Sequence, residues 1–518
     1  MQAASTPLAA WLVILPVLLP LFGGALLIAG AGRTLRPTAF AVLVTLLTGV
    51  VDALLLRHVL VGGPLAMTMG RWLPPFGISF AADALGAGFA LLAALVTACV
   101  LVYRAGGSDA PAAEARCLAL VLVLLAGVDG GFLTGDLFNL YVWFELILIA
   151  SFGLLVVGGT PLTVDATVKY GLLNFVATSL FLAALGLIYG ALGTLNMADI
   201  IHAAGSADPA VMAGIGVLLA VALGTKAAAF PLNAWLPASY HAPSAAISGL
   251  LGGLLTKVGA YALLRTLILV LPAEGRFLHP ALAIVGGATL LLGPLGAIAT
   301  ADLRRAVGFL LIGGIGSIVA GLALANPAGI AGAVVYVVNA MLTITALYLV
   351  AGLLEARAGS RDSLRMGGLY VSSPLLSALF IVLVLTIAGL PPSLGFWPKL
   401  LLLQAAIDLG SGGRAVGGDP FAQLLALCLL LNALLTLLAG ARLWSRVFWR
   451  PAPEPAGDPV LVPAAVMPWA IGATTVLTTL VLVAGLWPGP ILELGRAAAA
   501  GLLDPGGYIR AVGLGPWP

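Results

Sequence analysis

From residue 8 to residue 488 the chain is a succession of apolar runs of about twenty residues or more, joined by short connections. Nothing else constrains its fold as strongly. A hydrocarbon core of about 30 Å takes about 20 helical residues, and in lipid every backbone N–H and C=O must be satisfied within a helix or a closed barrel. These runs are too long and too evenly apolar to alternate as barrel strands do. The sequence therefore predicts an all-α integral membrane protein with about fourteen transmembrane helices. They fall near 8–31, 38–61, 76–102, 117–134, 136–159, 168–193, 212–235, 243–271, 280–300, 305–325, 328–354, 373–408, 421–446 and 466–488. Composition agrees: 8% of residues are charged, where a soluble chain carries about 25%. The first run has no basic residues ahead of it and exceeds the apolar core of a signal peptide, so it reads as an anchor.

Basic residues set the expected orientation. Connections after odd-numbered spans hold Arg33, Arg36, Arg104, Arg116, Lys169, Arg304, Arg305, Arg357, Arg361, Arg365, Arg442, Arg446 and Arg450. The other side holds roughly half as many, among them Arg57, Arg71, Arg276 and Arg414. Odd connections are thus expected in the cytoplasm of a bacterial-type cell, with both termini on the outer side of its inner membrane. No connection is long enough for a soluble domain, so the chemistry belongs to the membrane. Cys99, Cys117 and Cys428 lack metal-ligand spacing and read as apolar fillers. With no cluster-ligating cysteines and no dinucleotide fingerprint, neither a metal nor a cofactor is expected, and the chain is not expected to be an enzyme itself. No basic patch with interleaved aromatics points to nucleic acid.

Two spans carry prolines that must interrupt them: Pro231 in the seventh, and Pro391 with Pro392 in the twelfth. Each break is followed by an aromatic and another proline, in NAWLP and GFWPK. The two lie five spans apart, and an odd offset reverses direction across the membrane. Paired interrupted helices in oppositely oriented halves point to a transport site, because irregular backbone at depth needs buried or hydrated surroundings.

The ionisable residues sharpen this reading. Only four of the 23 basic residues are lysines, and Lys226, Lys257 and Lys399 lie inside spans seven, eight and twelve. A desolvated lysine can give up its proton, whereas a guanidinium stays charged; the competing reading is a side chain snorkelling to the interface. Glu145 lies about ten residues into span five, near mid-depth, where a carboxylate protonates or seeks a cation. Lys226 is its candidate partner, and a static ion pair is the competing reading. Lys257, Tyr261 and Arg265 share one helical face. Gly249 and Gly253 form a small-residue seam suited to close packing. His241 is as suited to hydrogen-bonding loop carbonyls as to carrying protons. Asp52, Asp83 and Asp129, near or within spans, read as structural or interfacial.

Three long stretches carry a family resemblance: GDLFNLYVWFELILIASF, LGTKAAAFPLNAWLPASYHAPSAAISGLLGGLLTKVGAYALLR and GLPPSLGFWPKLLLLQAA. They resemble the membrane subunits shared by respiratory complex I and Mrp-type monovalent cation/proton antiporters, above all the Mrp D type, over roughly residues 75–445. The resemblance implies a fourteen-helix fold with two inverted five-helix repeats, at 117–271 and 280–446. Helices in 1–116 precede them, and a tether, last span and tail follow in 447–518. It also implies a midplane chain of protonatable residues, with Glu145 and Lys226 as a coupled pair, Lys257 as the central lysine and Lys399 as the exit lysine. Where the family has a histidine and a lysine in span eleven, this chain has Asn339 and Ile344. Tyr336, Asn339 and Thr343 still form a polar stripe there that could hold water as a hydrated link.

The expected function is proton translocation within a multisubunit cation/proton antiporter or complex-I-related complex. The expected partners are other membrane subunits, the lipid bilayer and protons, with Na+ or K+ as the exchanged ion. A diverged scaffold subunit that conducts nothing is the alternative, favoured by the span-eleven departures and opposed by the retained lysines and Glu145. An organic-solute permease would carry more varied polar groups around the broken helices.

Overall fold

The computed structural model describes residues 8–30, 36–72, 74–105, 111–411, 418–451 and 467–514. Among the described residues thirteen helices are long and apolar enough to cross a membrane, and one further apolar segment is split into two halves. Numbered by crossing, they are α1 Trp11–Ala29, α2 Pro37–Gly62, α3 Ala84–Arg104, α4 Pro111–Leu133, α5 Leu137–Val156, α6 Pro161–Leu192 and α7 Pro209–Ala227. There follow α8 Ala245–Leu264, α9 His279–Ala299, α10 Leu303–Leu324, α11 Pro327–Ala358, α12a Pro374–Ala388, α12b Phe396–Gly410, α13 Pro420–Trp444 and α14 Met467–Leu486. The proline-rich tether lies, from residue 452, outside the described residues, as do Arg33 and Arg414.

Polar residues placed at the connections start these helices. A side chain that accepts a first-turn N–H supplies one of the bonds a helix start lacks. Asp83 accepts from Gly86 N at 2.9 Å, Asp136 from Asn139 N at 2.8 Å, Asp302 from Arg305 N at 2.7 Å and Asn326 from Gly329 N at 2.7 Å. Pro161, Pro209, Pro327 and Pro420 open their helices at positions where the missing N–H costs nothing.

The helices grade from a buried centre to an apolar exterior. The α8 segment is wholly buried, and α10 and α11 nearly so, whereas about two-thirds of α2 and of α6 faces outward. Side chains on that outer surface are lipid-compatible, such as Ile149, Val168, Leu172, Leu430 and Leu434. The Gly249–Gly253 seam meets α11: a Cβ on Gly253 would lie 2.1 Å from Thr345 Oγ1, and one on Gly249 3.3 Å from the Thr345 carbonyl.

Two features depart from a purely helical reading. Residues expected at the start of span three instead form strand Ser79–Ala82, paired antiparallel with Leu65–Thr68 in the register Leu65↔Ala82 to Thr68↔Ser79. The helix begins only after the Asp83 cap. Beyond α14 the tail folds into helices Gly489–Leu503 and Gly506–Val512, the first packed on α11 and α3.

Candidate functional site

The seventh span stops being helical at Ala227, four residues before Pro231, because a proline ring clashes with the carbonyl four residues back. Ala228 takes a left-handed conformation, φ 63°, and closes the helix end onto the Gly224 and Thr225 carbonyls. The freed backbone finds other partners: Trp235 Nε1 donates to the Thr225 carbonyl at 3.0 Å, and Phe230 N to Thr289 Oγ1 at 3.0 Å. The helix recovers only as the short turn Trp235–Ser239. Lys226 therefore sits in the last turn before the break. Its ammonium donates to Thr178 Oγ1 at 2.9 Å and lies 4.7 Å from the centre of the Phe144 ring. Beside it, Phe144, Tyr170, Asn174 and Trp235 help to line a cavity of ≈ 20 Å³, room for about one water.

Glu145 and Lys226 are not joined by an ion pair. Lys226 is satisfied by Thr178 and the Phe144 face, while Glu145 Oε1 is buried without a hydrogen-bond partner. The carboxylate is still near enough to act on Lys226 through space. Lys257, wholly buried in α8, donates to the Gly252 carbonyl at 2.6 Å and to Thr256 Oγ1 at 3.2 Å. Among the described residues no carboxylate bonds it. Its neighbours on the same helical face serve a different purpose: Tyr261 donates to the Phe132 carbonyl at 2.7 Å, and Arg265 grips Asp83 through two bonds of 2.6 and 2.9 Å.

The second break follows the same rule, since α12a ends at Ala388, four residues before Pro392. Gly389 closes it in the left-handed region, φ 86°. Lys399, on the far side, reaches back and donates to the freed Ala388 carbonyl at 3.0 Å and to Asn432 Oδ1 at 3.0 Å; Asn432 in turn donates to the Leu290 carbonyl at 2.7 Å. A cation at a helix C-terminus meets the negative end of its dipole. A Cβ on Gly389 would lie 2.6 Å from Lys399 Cδ. Gly389→Ala is thus expected to push Lys399 off the Ala388 carbonyl, with a backbone cost of about 1–2 kcal/mol, and, on the sequence expectation of ion transport through Lys399, to slow exchange severely. Gly193→Ala supplies the control, being equally left-handed at φ 72° with nothing within 4 Å of the added Cβ. Equal exchange rates in the two variants, measured in everted vesicles, would remove Lys399 from the argument.

In α11 the three stripe residues are buried, Tyr336 at 3%, Asn339 at 1% and Thr343 at 0% exposure, and Thr343 Oγ1 donates to Asn339 Oδ1 at 3.1 Å. Ile344 lies next to the backbone that holds Lys257: its side chain would be 3.4 Å from a Cβ on Gly252. His241 is engaged as a neutral ring. Its Nδ1–H donates to the Pro237 carbonyl at 3.0 Å and its Nε2 accepts from Arg305 at 3.2 Å. Burial, and then the Arg305 guanidinium, hold that imidazole below its usual range.

Thr178 and Asn432 complete two of the lysine sites and Thr289 the first helix break, and none of the three stood out in the sequence. Each is an uncharged polar residue within an apolar span; a polar atom in lipid needs a partner, and that is the signal they offer. The Arg265–Asp83 pair and the Arg304–Glu355 pair were likewise legible only as isolated charges. Arg304 Nε donates to Glu355 Oε1 at 2.8 Å, and the guanidinium also bonds Glu355 Oε2 and the Pro243 carbonyl.

The sequence pattern described as NADH:quinone oxidoreductase/Mrp antiporter, TM, matches residues 134–414. The D subunit of the Na(+)/H(+) antiporter of Bacillus subtilis (strain 168) is 35% identical over 507 residues, 96% of this chain and 99% of that protein. Its namesake from Alkalihalophilus pseudofirmus is 35% identical over 97% of this chain and 99% of its own length. Among solved structures, a chain of the Mrp complex from Dietzia sp. DQ12-45-1b superposes with a TM-score of 0.87 at 28% identity, covering 98% of this chain and 99% of that one. A chain of respiratory complex I from Thermus thermophilus gives 0.79 at 26% identity, covering 95% and 100%.

Proposed function

The chain belongs to the NADH:quinone oxidoreductase/Mrp antiporter membrane-subunit family, and from that premise we propose that it is a proton-translocating subunit of an Mrp-type cation/proton antiporter. Protons move through Glu145, Lys226, Lys257 and Lys399, in exchange for Na+ or K+ and in company with other membrane subunits. Both termini face the outside.

One contrast carries the reading. Among the described residues five lysine and arginine side chains are buried, and the two arginines, Arg265 and Arg304, are each tied to a carboxylate. The three lysines are held only by hydroxyl, carbonyl and amide oxygens and an aromatic face. An ammonium on neutral acceptors can lose its proton without stranding a buried carboxylate. Arginine cannot make that change, and here the arginines carry the fixed structure.

Two inverted halves, 117–271 and 280–446, are part of the proposal. Gly135, Leu137, Leu195 and Met197 exchange backbone bonds of 2.9 Å around Asp136, and Ala301, Leu303, Arg361 and Ser363 exchange bonds of 2.8 and 3.0 Å around Asp302. Each aspartate caps the second helix of its half, and each half ends its fourth helix four residues before a proline. The sequence echoes this as Thr134-Gly135-Asp136-Leu137 and Thr300-Ala301-Asp302-Leu303.

Lys257→Arg tests the proposal, because it keeps the charge and removes the ability to deprotonate. In everted vesicles carrying the assembled complex, Na+- or K+-driven proton movement is expected with the wild type and is expected to be lost in the variant. Undiminished exchange would make Lys257 structural. A scaffold role is the second reading, favoured by the apolar Ile344 beside Gly252; it predicts that the wild-type rate does not depend on any of the three lysines.

A further inference from the structure

Two buried aspartates lie apart from the lysine series. Asp52 on α2 and Asp129 on α4 are each 0% exposed, and all four of their carboxylate oxygens lack a hydrogen-bond partner. Helices α2 and α4 pack against each other, and the Asp52 carboxylate acts on Asp129 through space. Two carboxylates side by side in hydrocarbon cannot both stay charged and bare.

The third helix of this corner adds oxygen. A Cβ on Gly23 of α1 would lie 2.8 Å from Val44 and 3.2 Å from Leu122, which fixes the level at which α1, α2 and α4 cross. Going outward from there, Pro16, Asp52 and Asp129 all lie about 10–12 Å further on at 1.5 Å per residue. Pro16 and Pro20 are buried inside α1, and Pro20 has no N–H to give to the Pro16 carbonyl. Thr48, one turn from Asp52 on the same face, donates its hydroxyl to the Val44 carbonyl at 3.0 Å, which leaves its lone pairs free.

We propose that Asp52 and Asp129, with the Thr48 hydroxyl and the Pro16 carbonyl at their level, form a buried site that takes one alkali-metal cation in competition with one proton. The donor set is oxygen only, which suits a hard cation. Binding exchanges the proton shared by the two carboxylates for the cation, so the charge of the site is the same before and after. The choice of an alkali-metal ion rests on the antiporter reading. Among the described residues no lysine or arginine bonds either carboxylate. Helix α1 carries no titratable group, α3 has Cys99, Tyr103 and Arg104 toward its other end, α5 has Tyr141 and Glu145, and Lys257 and Tyr261 on α8, with Arg265 just beyond its end, are engaged as described. On the two helices themselves Arg57 and His58 are exposed, and Glu114, Arg116 and Cys117 lie at the opposite end of α4.

The test uses the purified, assembled complex. Radiolabelled Na+ binding at equilibrium is expected to contain a component that is lost in Asp52→Asn and in Asp129→Asn, and that weakens up to about tenfold per unit fall in pH, since a proton must leave. Infrared difference spectra should show a protonated-carboxyl C=O band that Na+ removes in the wild type and that Asp52→Asn/Asp129→Asn lacks. Na+ that leaves the band in place, with unchanged binding in both single variants, overturns the site and reduces it to a proton-sharing structural pair. Should the variants fail to assemble, the wild-type infrared experiment still decides. Binding needs no transport: a complex that binds Na+ here but exchanges nothing sinks the antiporter reading alone, and one that exchanges normally with binding unaltered in the variants sinks the site alone.

Discussion

Lys226→Ala is expected to abolish ion exchange while the complex still assembles. The ammonium touches only the Thr178 hydroxyl and the face of Phe144. Its removal strands one neutral hydroxyl, at a cost of about 1–3 kcal/mol, and leaves no carboxylate bonded to an absent partner. On the proposed pathway the loss to transport is far larger, since the group proposed to carry the proton at the first helix break is gone. Exchange in everted vesicles, with co-purification of the other subunits measured in parallel, checks both halves of this expectation. Glu145 acts on Lys226 without bonding it, so Glu145→Gln should also impair exchange, and the double variant should cost much less than the sum of the singles. Strict additivity would mean that the two do not communicate, and a wild-type rate in Lys226→Ala would take this lysine off the pathway.

Asp83→Ala is expected to give the opposite signature: no folded protein to assay. Arg265 has no exposure at all, and Asp83 supplies both of its short carboxylate bonds. Breaking a buried pair by deleting one partner costs about 3–5 kcal/mol, a large part of the roughly 5–15 kcal/mol that holds a protein folded. Asp83 also caps α3 through Gly86, and loss of a cap adds about 1 kcal/mol. The chain should therefore vanish from membranes and from the native complex. Replacing both partners, as Asp83→Asn with Arg265→Met, removes the stranded charge and should restore much of the level. If the single variant accumulates and assembles like the wild type, the pair is not what holds this part of the bundle.

These contrasting outcomes bear on what the sequence could tell. Helix existence was legible because bilayer thickness imposes one run length, and Pro231 and Pro392 marked the breaks because a proline ring disturbs the carbonyl four residues back. That same rule also gives the helix ends, Ala227 and Ala388. Partners were not legible. Thr178 lies on α6 and Asn432 on α13, and nothing local says which lone polar residue a lysine will meet across the bundle. Glu145 was legible as a candidate partner for Lys226, but not how the two helices meet; a hydroxyl and a ring hold the ammonium, and Glu145 acts on it without a bond. Of the Leu65–Thr68 and Ser79–Ala82 pair, the second strand was hidden in the stretch from residue 76 that, by composition alone, reads as the start of a helix, and the first lay in a connection.

Tyr508, in the last described helix, lays its ring 5.3 Å from the Arg265 guanidinium and points its hydroxyl at Met197 Sδ, 3.8 Å away. Order of synthesis gives this contact a meaning that the finished fold conceals. The ribosome makes Arg265 and Asp83 long before Tyr508, so during translation the aromatic cover over that charged pair is missing while later segments are still entering the bilayer. A chain stopped before Gly506 lacks that cover, so removing this helix is expected to leave the Arg265 guanidinium with one aromatic face fewer than in the folded bundle.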